Sequence, residues 1–463
     1  MTAWTHVDGH MIAAAVKAGE VSAETVTRAH LDRIEALNPQ LHAYTDVTAD
    51  RALEMARALD RQRAAGADLP ALAGVPFGVK NLFDIKGLPT RAGSKINRER
   101  APAQEDATAV ARIEAAGGVL LGGLNMGEYA YDFTGMSVHD GASLNPHDNT
   151  RMSGGSSGGS ASAAAAGLAP VTLGSDTNGS IRVPASLCGL FGLKPTYGGL
   201  SRGGTFPFVA AFDHVGPLAR SVLDLALIYD AMAGADPRDP ACQPRTGAPL
   251  AHGLDGDISG LVIARAGDYF ARSGTQEAYA ATDLIARALG VRETVVLPEA
   301  HRARAAAYVI TMIEGASLHL DRIRARHADY DPDVRDRLIA GAMLPGAWYV
   351  KAQKFRRWYR EQVLALFGTV DAIIAPCVPM VAPRLTHKTM VLDGVEMPIR
   401  PNLGLYTQPI SFVGLPVVAV PTMAASGLPM GVQVIAAPGR EDVALAIARR
   451  LEIDGVCRST VVG

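Results

Sequence analysis

Three features of the chain predict an α/β fold. Short apolar runs bounded by Gly and Pro, such as Gly74-Val75-Pro76-Phe77-Gly78-Val79 and Val119-Leu120-Leu121-Gly122, have the texture of strands covered on both faces. Longer segments with apolar residues at helical spacing alternate with them. The 463 residues are 48% apolar and 19% charged, a composition that buries a large core and excludes a disordered polymer. Length alone would allow about three units, but large α/β enzymes often exceed that prior, so residues 1–463 are expected to form one large domain or one with a sizeable insertion.

Taken in order, residues 1–65 read as a helical N-terminal part. Ser22 can cap a helix over 23–37, in which Val26, Ala29, Leu31 and Ile34 fall at helical spacing, and a second helix is expected over 49–64. The expected core part, 66–230, begins where the Gly/Pro-punctuated runs begin. It contains the expected strands 74–79 and 119–122 and a helix over 106–116. The densest Gly/Ser region spans 145–204. Its first residues, 145–152, are polar and turn-like, followed by a small-residue helix over 160–166 and a strand over 170–173. Residues 231–370 are expected to be more variable and helical, with a Pro-, Gly- and Asp-rich surface excursion over 234–256 and helices over 303–325, 332–342 and 348–367. Residues 371–463 return to the core through strands at 372–375 and 417–420.

Charge excludes some functions. Lys and Arg total 44 against 46 Asp and Glu, a formal net charge of −2, so a generally basic nucleic-acid surface is not expected. Cys188, Cys242, Cys377 and Cys457 lie far apart and form no C-x-x-C pair, which points away from a zinc ribbon or disulfide framework and toward reduced thiols in a cytoplasm. No stretch reaches the roughly 18 apolar residues of a membrane span, and residues 1–10 lack a secretory pattern. None of the twelve histidines falls in an H-E-x-x-H or comparable pattern, so no metal and no cofactor are expected. His139, His147 and His214 read as packed or solvent-facing rather than catalytic.

Chemistry concentrates in three places. Gly154-Gly155-Ser156-Ser157-Gly158-Gly159-Ser160 joins permissive backbone to clustered hydroxyls. As a phosphate cradle it lacks the Gly-Lys-Ser/Thr ending of a P-loop. As a nucleophile elbow it matches G-x-S-x-G at Ser156 and at Ser157, but an elbow should follow a buried strand and 145–152 is polar. A flexible loop is the third reading. The second place, Gly174-Ser175-Asp176-Thr177-Asn178-Gly179-Ser180-Ile181-Arg182-Val183-Pro184, follows a strand-like run and precedes a Pro suited to a first helical turn. Backbone N–H groups in such a Gly-containing turn can converge on a developing oxyanion, although a structural turn has the same composition. The third is Lys80, ending an apolar run. It reads either as a snorkelling surface lysine or as an amine desolvated enough to act as a neutral base.

Together these segments resemble the amidase signature family. The resemblance runs from Gly74–Lys80 through the Gly/Ser loop and Ser175–Arg182 to Cys188-Gly189-Leu190-Phe191-Gly192-Leu193-Lys194-Pro195-Thr196, with 24 residues between Ser156 and Ser180. It implies a single three-layer α/β/α domain around a large central mixed sheet. It also implies Ser180 as nucleophile, Ser156 as a bridging hydroxyl preceded by a cis peptide bond, and Lys80 as base. Backbone N–H groups of Thr177, Asn178, Gly179 and Ser180 would form the oxyanion hole, with Ser157 in support. A non-catalytic scaffold of the same shape is the contrasting reading, against which the intact Lys80, Ser156 and Ser180 stand.

Within the family, Lys80-Asn81-Leu82-Phe83-Asp84-Ile85, Ala92-Gly93-Ser94-Lys95-Ile96-Asn97, Tyr308-Val309-Ile310-Thr311 and Ala347-Trp348-Tyr349 resemble enzymes that release ammonia from a small carboxylated biuret. That resemblance implies homodimerisation of the catalytic chain and a small accessory subunit. The glutaminase subunits of tRNA-dependent amidotransferases are the alternative. They usually have Gly where this chain has Asn178, and an acidic residue shortly before a Thr-x-Pro step, whereas Asn402-Leu403-Gly404-Leu405-Tyr406 ahead of Thr407-Gln408-Pro409 has no carboxylate. An allophanate hydrolase is a further alternative. Resemblance to the glutaminase subunits implies that Arg337 holds a substrate carboxylate and that Tyr308 lines the pocket; a solvated helix arginine and a packed core tyrosine are the competing readings.

Overall fold

A computed structural model of the chain describes residues 4–244 and 247–462. Fifteen strands occur among them, in chain order β1 (Tyr44–Val47), β2 (Pro76–Lys80), β3 (Val119–Leu124), β4 (Leu144–Asn145), β5 (Asp148–Met152), β6 (Val171–Asp176), β7 (Phe191–Lys194), β8 (His214–Ala219), β9 (Ile263–Ala266), β10 (Glu293–Val295), β11 (Ala372–Pro376), β12 (Thr389–Leu392), β13 (Val395–Pro398), β14 (Val417–Met423) and β15 (Pro429–Ala436). Eleven of them form one sheet in the order β1-β3-β2-β6-β8-β7-β14-β15-β11-β9-β10. The sheet is mixed: β3, β2 and β6 run parallel, as do β11, β9 and β10, while β8, β7, β14 and β15 pair antiparallel between them. Every residue of β2, β3, β6 and β8 is buried, which requires cover on both faces and explains the continuous apolar runs of the sequence.

The expected helices form with modest shifts. Ser22 accepts a hydrogen bond from Thr25 N at 3.0 Å and caps Ala23–Leu41, which buries Val26 and Ile34 and continues beyond the expected end through Pro39. Ala49–Ala64 and Pro332–Ala342 have the expected bounds, and Asp331 caps the latter. The helix expected over 303–325 is longer, Ala300–Arg326. It packs against Pro332–Ala342 and Gly346–Leu366 to form a helical wall.

Three local readings are corrected. The N-terminal part is not purely helical, because Tyr44–Val47 pairs antiparallel with β3 at the sheet edge; four residues between two helices are too few to show a period. Residues 145–152 are not only a turn, since β4 and β5 form a small hairpin outside the main sheet. The variable region contributes β9 and β10 to the main sheet as well as helices. Of the expected surface excursion over 234–256, residues 245–246 lie outside the described residues. Its first part is anchored: buried Asp236 accepts hydrogen bonds from Ser201 and Thr108, and Asp239 pairs with Arg202.

Candidate active site

Sheet pairing sets the site. β2 and β6 are parallel neighbours with Val79 opposite Leu173, so both strands end at the same edge and Lys80 arrives beside Ser175. Such a carboxyl edge, where loops leave parallel strands, is where α/β sheets gather chemistry. Lys80 Nζ lies 2.8 Å from Ser175 Oγ and 2.7 Å from Ser156 Oγ, with all three side chains buried. Withdrawal from water disfavours the charged amine and brings its pKa down to about 7, against the opposing pull of Asp176, Asp213 and Asp132. The snorkelling reading of Lys80 is thereby excluded.

Ser156 is carried on a loop whose Gly155–Ser156 peptide bond is cis. Gly155 N–H donates to Phe133 O at 2.9 Å, and Ser156 O accepts from Gly127 N–H at 3.2 Å. The loop then enters a small-residue helix, Gly158–Ala165, buried throughout. Ser157 binds the loop to β6: its hydroxyl donates to Ser175 O at 3.2 Å and accepts from Ser175 N–H at 3.3 Å. These contacts leave no room for a loose loop.

Ser180 stands in the turn between β6 and the helix Arg182–Cys188. Asp176, the last residue of β6, accepts from Ile181 N–H at 3.2 Å and from Arg182 Nε and Nη2 at 3.0 Å each. Burial alone would raise the Asp176 carboxyl pKa, but the Arg182 charge and hydrogen bonds hold it well below the usual carboxylate range. Gly179 has φ +139°, and a Cβ there would lie 2.1 Å from Thr407 Oγ1, so only glycine fits. Thr407 Oγ1 donates to Asn178 O at 2.7 Å, which points that carbonyl toward Thr407 and the Gly179 N–H of the same peptide unit away from it. Among the described residues, the backbone N–H groups of Thr177, Asn178, Gly179 and Ser180 have no protein acceptor. Four such donors in one turn are the electrostatic equipment a developing oxyanion needs.

Ser180 opens on a narrow cavity whose wall includes Tyr131, Asp132, Asn178, Tyr308, Thr311, Arg337 and Gln408. Tyr308 and Arg337 therefore meet at the cavity, from two helices of the helical wall. Tyr308 Oη donates to Pro401 O at 2.5 Å. Arg337 donates from Nε to Asp333 O at 2.8 Å and stacks 3.9 Å above the centre of the Tyr131 ring. No carboxylate of the described residues lies within ion-pair distance of Arg337. Asp132, the one carboxylate on the wall, is already engaged by Thr134 N–H at 3.0 Å, Gly135 N–H at 2.7 Å and Arg400 Nε at 2.9 Å.

The histidines stay outside this set. His139 bonds Glu128, His147 bonds Cys188 O, and neither lines the cavity. His214 is packed behind Asp176: its Nδ1–H donates to Phe212 O at 2.6 Å, and burial, with Lys194 Nζ 3.3 Å away, holds its pKa well below the usual value. Sequence reasoning missed Ser175 as a partner of Lys80, although pairing the two strands in parallel register would have found it. It also missed Asp132 and its partner Arg400, and it named Thr407 only as part of a Thr-x-Pro step without the contact that Thr407 makes with Asn178. Among the described residues, no group of three or more His, Cys, Asp or Glu is arranged to hold a metal ion.

The chain matches the amidase family over residues 25–445 and belongs to it. It is an amide hydrolase of mixed α/β fold, similar throughout its length to enzymes of the amidase signature group. It is 51% identical, over 96% of this chain and 97% of the relative, to the 1-carboxybiuret hydrolase protein AtzE of Pseudomonas sp. strain ADP. A solved structure described as "An unexpected vestigial protein complex reveals the evolutionary origins of an s-triazine catabolic enzyme" superposes with a TM-score of 0.97 at 50% identity, covering 98% of this chain and 100% of that one. A glutamyl-tRNA(Gln) amidotransferase component from Salinispora arenicola is 38% identical over 98% of each chain.

The buried amine yields a stability prediction. Between pH 7 and 10.5 the unfolded chain holds a proton on Lys80 that the folded chain has released, so the contribution of Lys80 to stability rises with pH across that window. Relative to Lys80→Met, the wild type should gain about 2 kcal/mol in urea-unfolding free energy between pH 7 and 9. A difference that stays flat with pH would mean that the amine is solvated.

Proposed function

We propose that this chain hydrolyses 1-carboxybiuret by a Ser–cisSer–Lys mechanism and releases ammonia. The observation that carries the substrate assignment is the cavity itself: Ser180 and the guanidinium of Arg337, which has no carboxylate partner, open on the same space. A planar guanidinium suits a carboxylate through paired N–H donors. The 51% identity to the 1-carboxybiuret hydrolase protein AtzE supports the same substrate.

In the mechanism, neutral Lys80 accepts the proton of Ser156 as Ser156 accepts that of Ser180, and Ser180 Oγ attacks the terminal carbamoyl carbon. The N–H groups of residues 177–180 receive the charge that develops on the carbonyl oxygen. Collapse breaks the C–N bond, and the proton returns through Ser156 to the leaving nitrogen, which departs as ammonia. Water, deprotonated by the same relay, then attacks the acyl-enzyme. The carbonyl keeps the water oxygen, Ser180 regains its proton, and the product carries a carboxyl at each end.

Glutamine is the competing substrate because the amidotransferase component is also similar. Its α-ammonium would need a counter-charge, and Asp132, the carboxylate on the wall, is neutralised by Arg400. We further propose homodimerisation and a small accessory subunit, supported by the protein complex that the first solved relative represents. Residence in the cytoplasm is supported by four unpaired cysteines.

Ammonia release from 1-carboxybiuret generated in situ, biuret, allophanate, malonamate and glutamine tests the assignment, with and without a candidate small subunit. The expected order places 1-carboxybiuret first; a preference for glutamine would overturn it. Lys80→Ala should lower kcat at least about 10³-fold while circular dichroism stays unchanged. Near-normal turnover in that variant would remove Lys80 from the mechanism. Arg337→Gln should raise KM for carboxylated substrates about tenfold or more and leave KM for uncharged biuret within about twofold, a split read from paired saturation curves.

A further inference from the structure

The cavity wall contains a polar group that the mechanism leaves unused. Asn178 and Thr311 both line the cavity and both are buried. Asn178 Nδ2 donates to Thr311 Oγ1 at 3.0 Å, while Asn178 Oδ1, also buried, has no hydrogen-bond partner among the described residues. A buried amide carbonyl left unpaired is destabilising, so its retention beside the reacting centre calls for a donor that arrives with the substrate. The backbone beneath it is fixed, because Asn178 O is held by Thr407. Gln408, on the same wall, completes the pattern. Its Oε1 accepts from Arg304 Nε at 2.8 Å, and since Arg304 only donates, the end of the Gln408 amide left over is its NH₂. Beside Arg337, Asn178 and Gln408 thus add one acceptor and one donor, the complement of an N–H and a C=O in one planar group.

We infer that the Asn178 carboxamide, held in place by Thr311, is the specificity-determining group that accepts the N–H next to the scissile carbonyl, selecting ureido compounds over carboxylated amides with a methylene there. This rests on the ureido substrate proposed above and names the residue that enforces it. A site built to hydrogen-bond a substrate N–H rejects an analogue without one, because its own buried atom is then left unpaired.

Allophanate and malonamate test this directly, since between carboxylate and carboxamide one has N–H and the other CH₂. Both are measured as substrates, or as competitive inhibitors of 1-carboxybiuret hydrolysis where turnover is too slow, with enzyme counted by fluorophosphonate titration so that only competent protein enters the comparison. The allophanate-to-malonamate ratio of kcat/KM, or the corresponding ratio of inhibition constants, should fall at least tenfold in Asn178→Ala and Asn178→Gly. In Thr311→Val, which keeps the carboxamide and removes its anchor, it should fall at least threefold. If the Asn178 variants do not fold, Thr311→Val decides. A wild type active on 1-carboxybiuret whose ratio persists within twofold in every folded variant overturns this inference alone. A wild type that hydrolyses no ureido substrate overturns the functional reading and this inference with it.

Discussion

Asp176 and Arg182 are six residues apart, and each is fully withdrawn from water. Their ion pair closes the turn that contains Ser180, with Arg182 also reaching Thr407 O at 3.2 Å and Gln433 Oε1 at 2.7 Å. Taking two charges out of solvent is favourable only when every remaining donor and acceptor is matched, and these contacts perform that matching. Removing one partner would strand a charge in the core at a cost of roughly 3–5 kcal/mol. The pair therefore fixes more than local shape: it joins the end of β6, the following helix and the C-terminal segments into one rigid frame. The unpaired N–H groups of residues 177–180 keep their orientation because this frame holds them.

The two cationic side chains near the reaction centre behave oppositely, and chemistry explains the division. Lys80 meets only hydroxyls at close range, so burial strips its proton near neutral pH and leaves a lone pair. Arg337 stacks on Tyr131 and borders the cavity, presenting a planar set of N–H donors. In the proposed reaction one cation becomes a base and the other remains an anchor for an anion. Exchanging the two residue types would lose both functions.

Much of this was legible from the chain. The apolar run ending at Lys80 and the strand-like residues 170–173 announced buried strands, and the glycine at 179 marked a turn with a special backbone. Ser156 and Ser180 stood out through the resemblance to the amidase signature family, since composition alone left their loops open to other readings. Less visible were contributions carried by single residues in otherwise ordinary segments. Arg400 lies in a short helix after a surface hairpin, and nothing in its neighbours marks it as the partner of Asp132, 268 residues earlier. Thr407 acts through a contact with residue 178 that no local period encodes. The edge strand Tyr44–Val47 escaped because four residues reveal no alternation. Local patterns identify elements, whereas contacts between distant segments become visible only when the sheet is assembled.

The close approach of Thr407 to Gly179 has a consequence for biosynthesis. All three residues of the proposed proton relay are in the nascent chain once residue 180 is joined, yet the hydroxyl that orients the Asn178 carbonyl is added more than two hundred residues later. A ribosome-bound fragment thus holds the reactive side chains without the frame that would make them effective. Competence arrives late in translation, when the segment around Thr407 folds back onto the turn at 176–180.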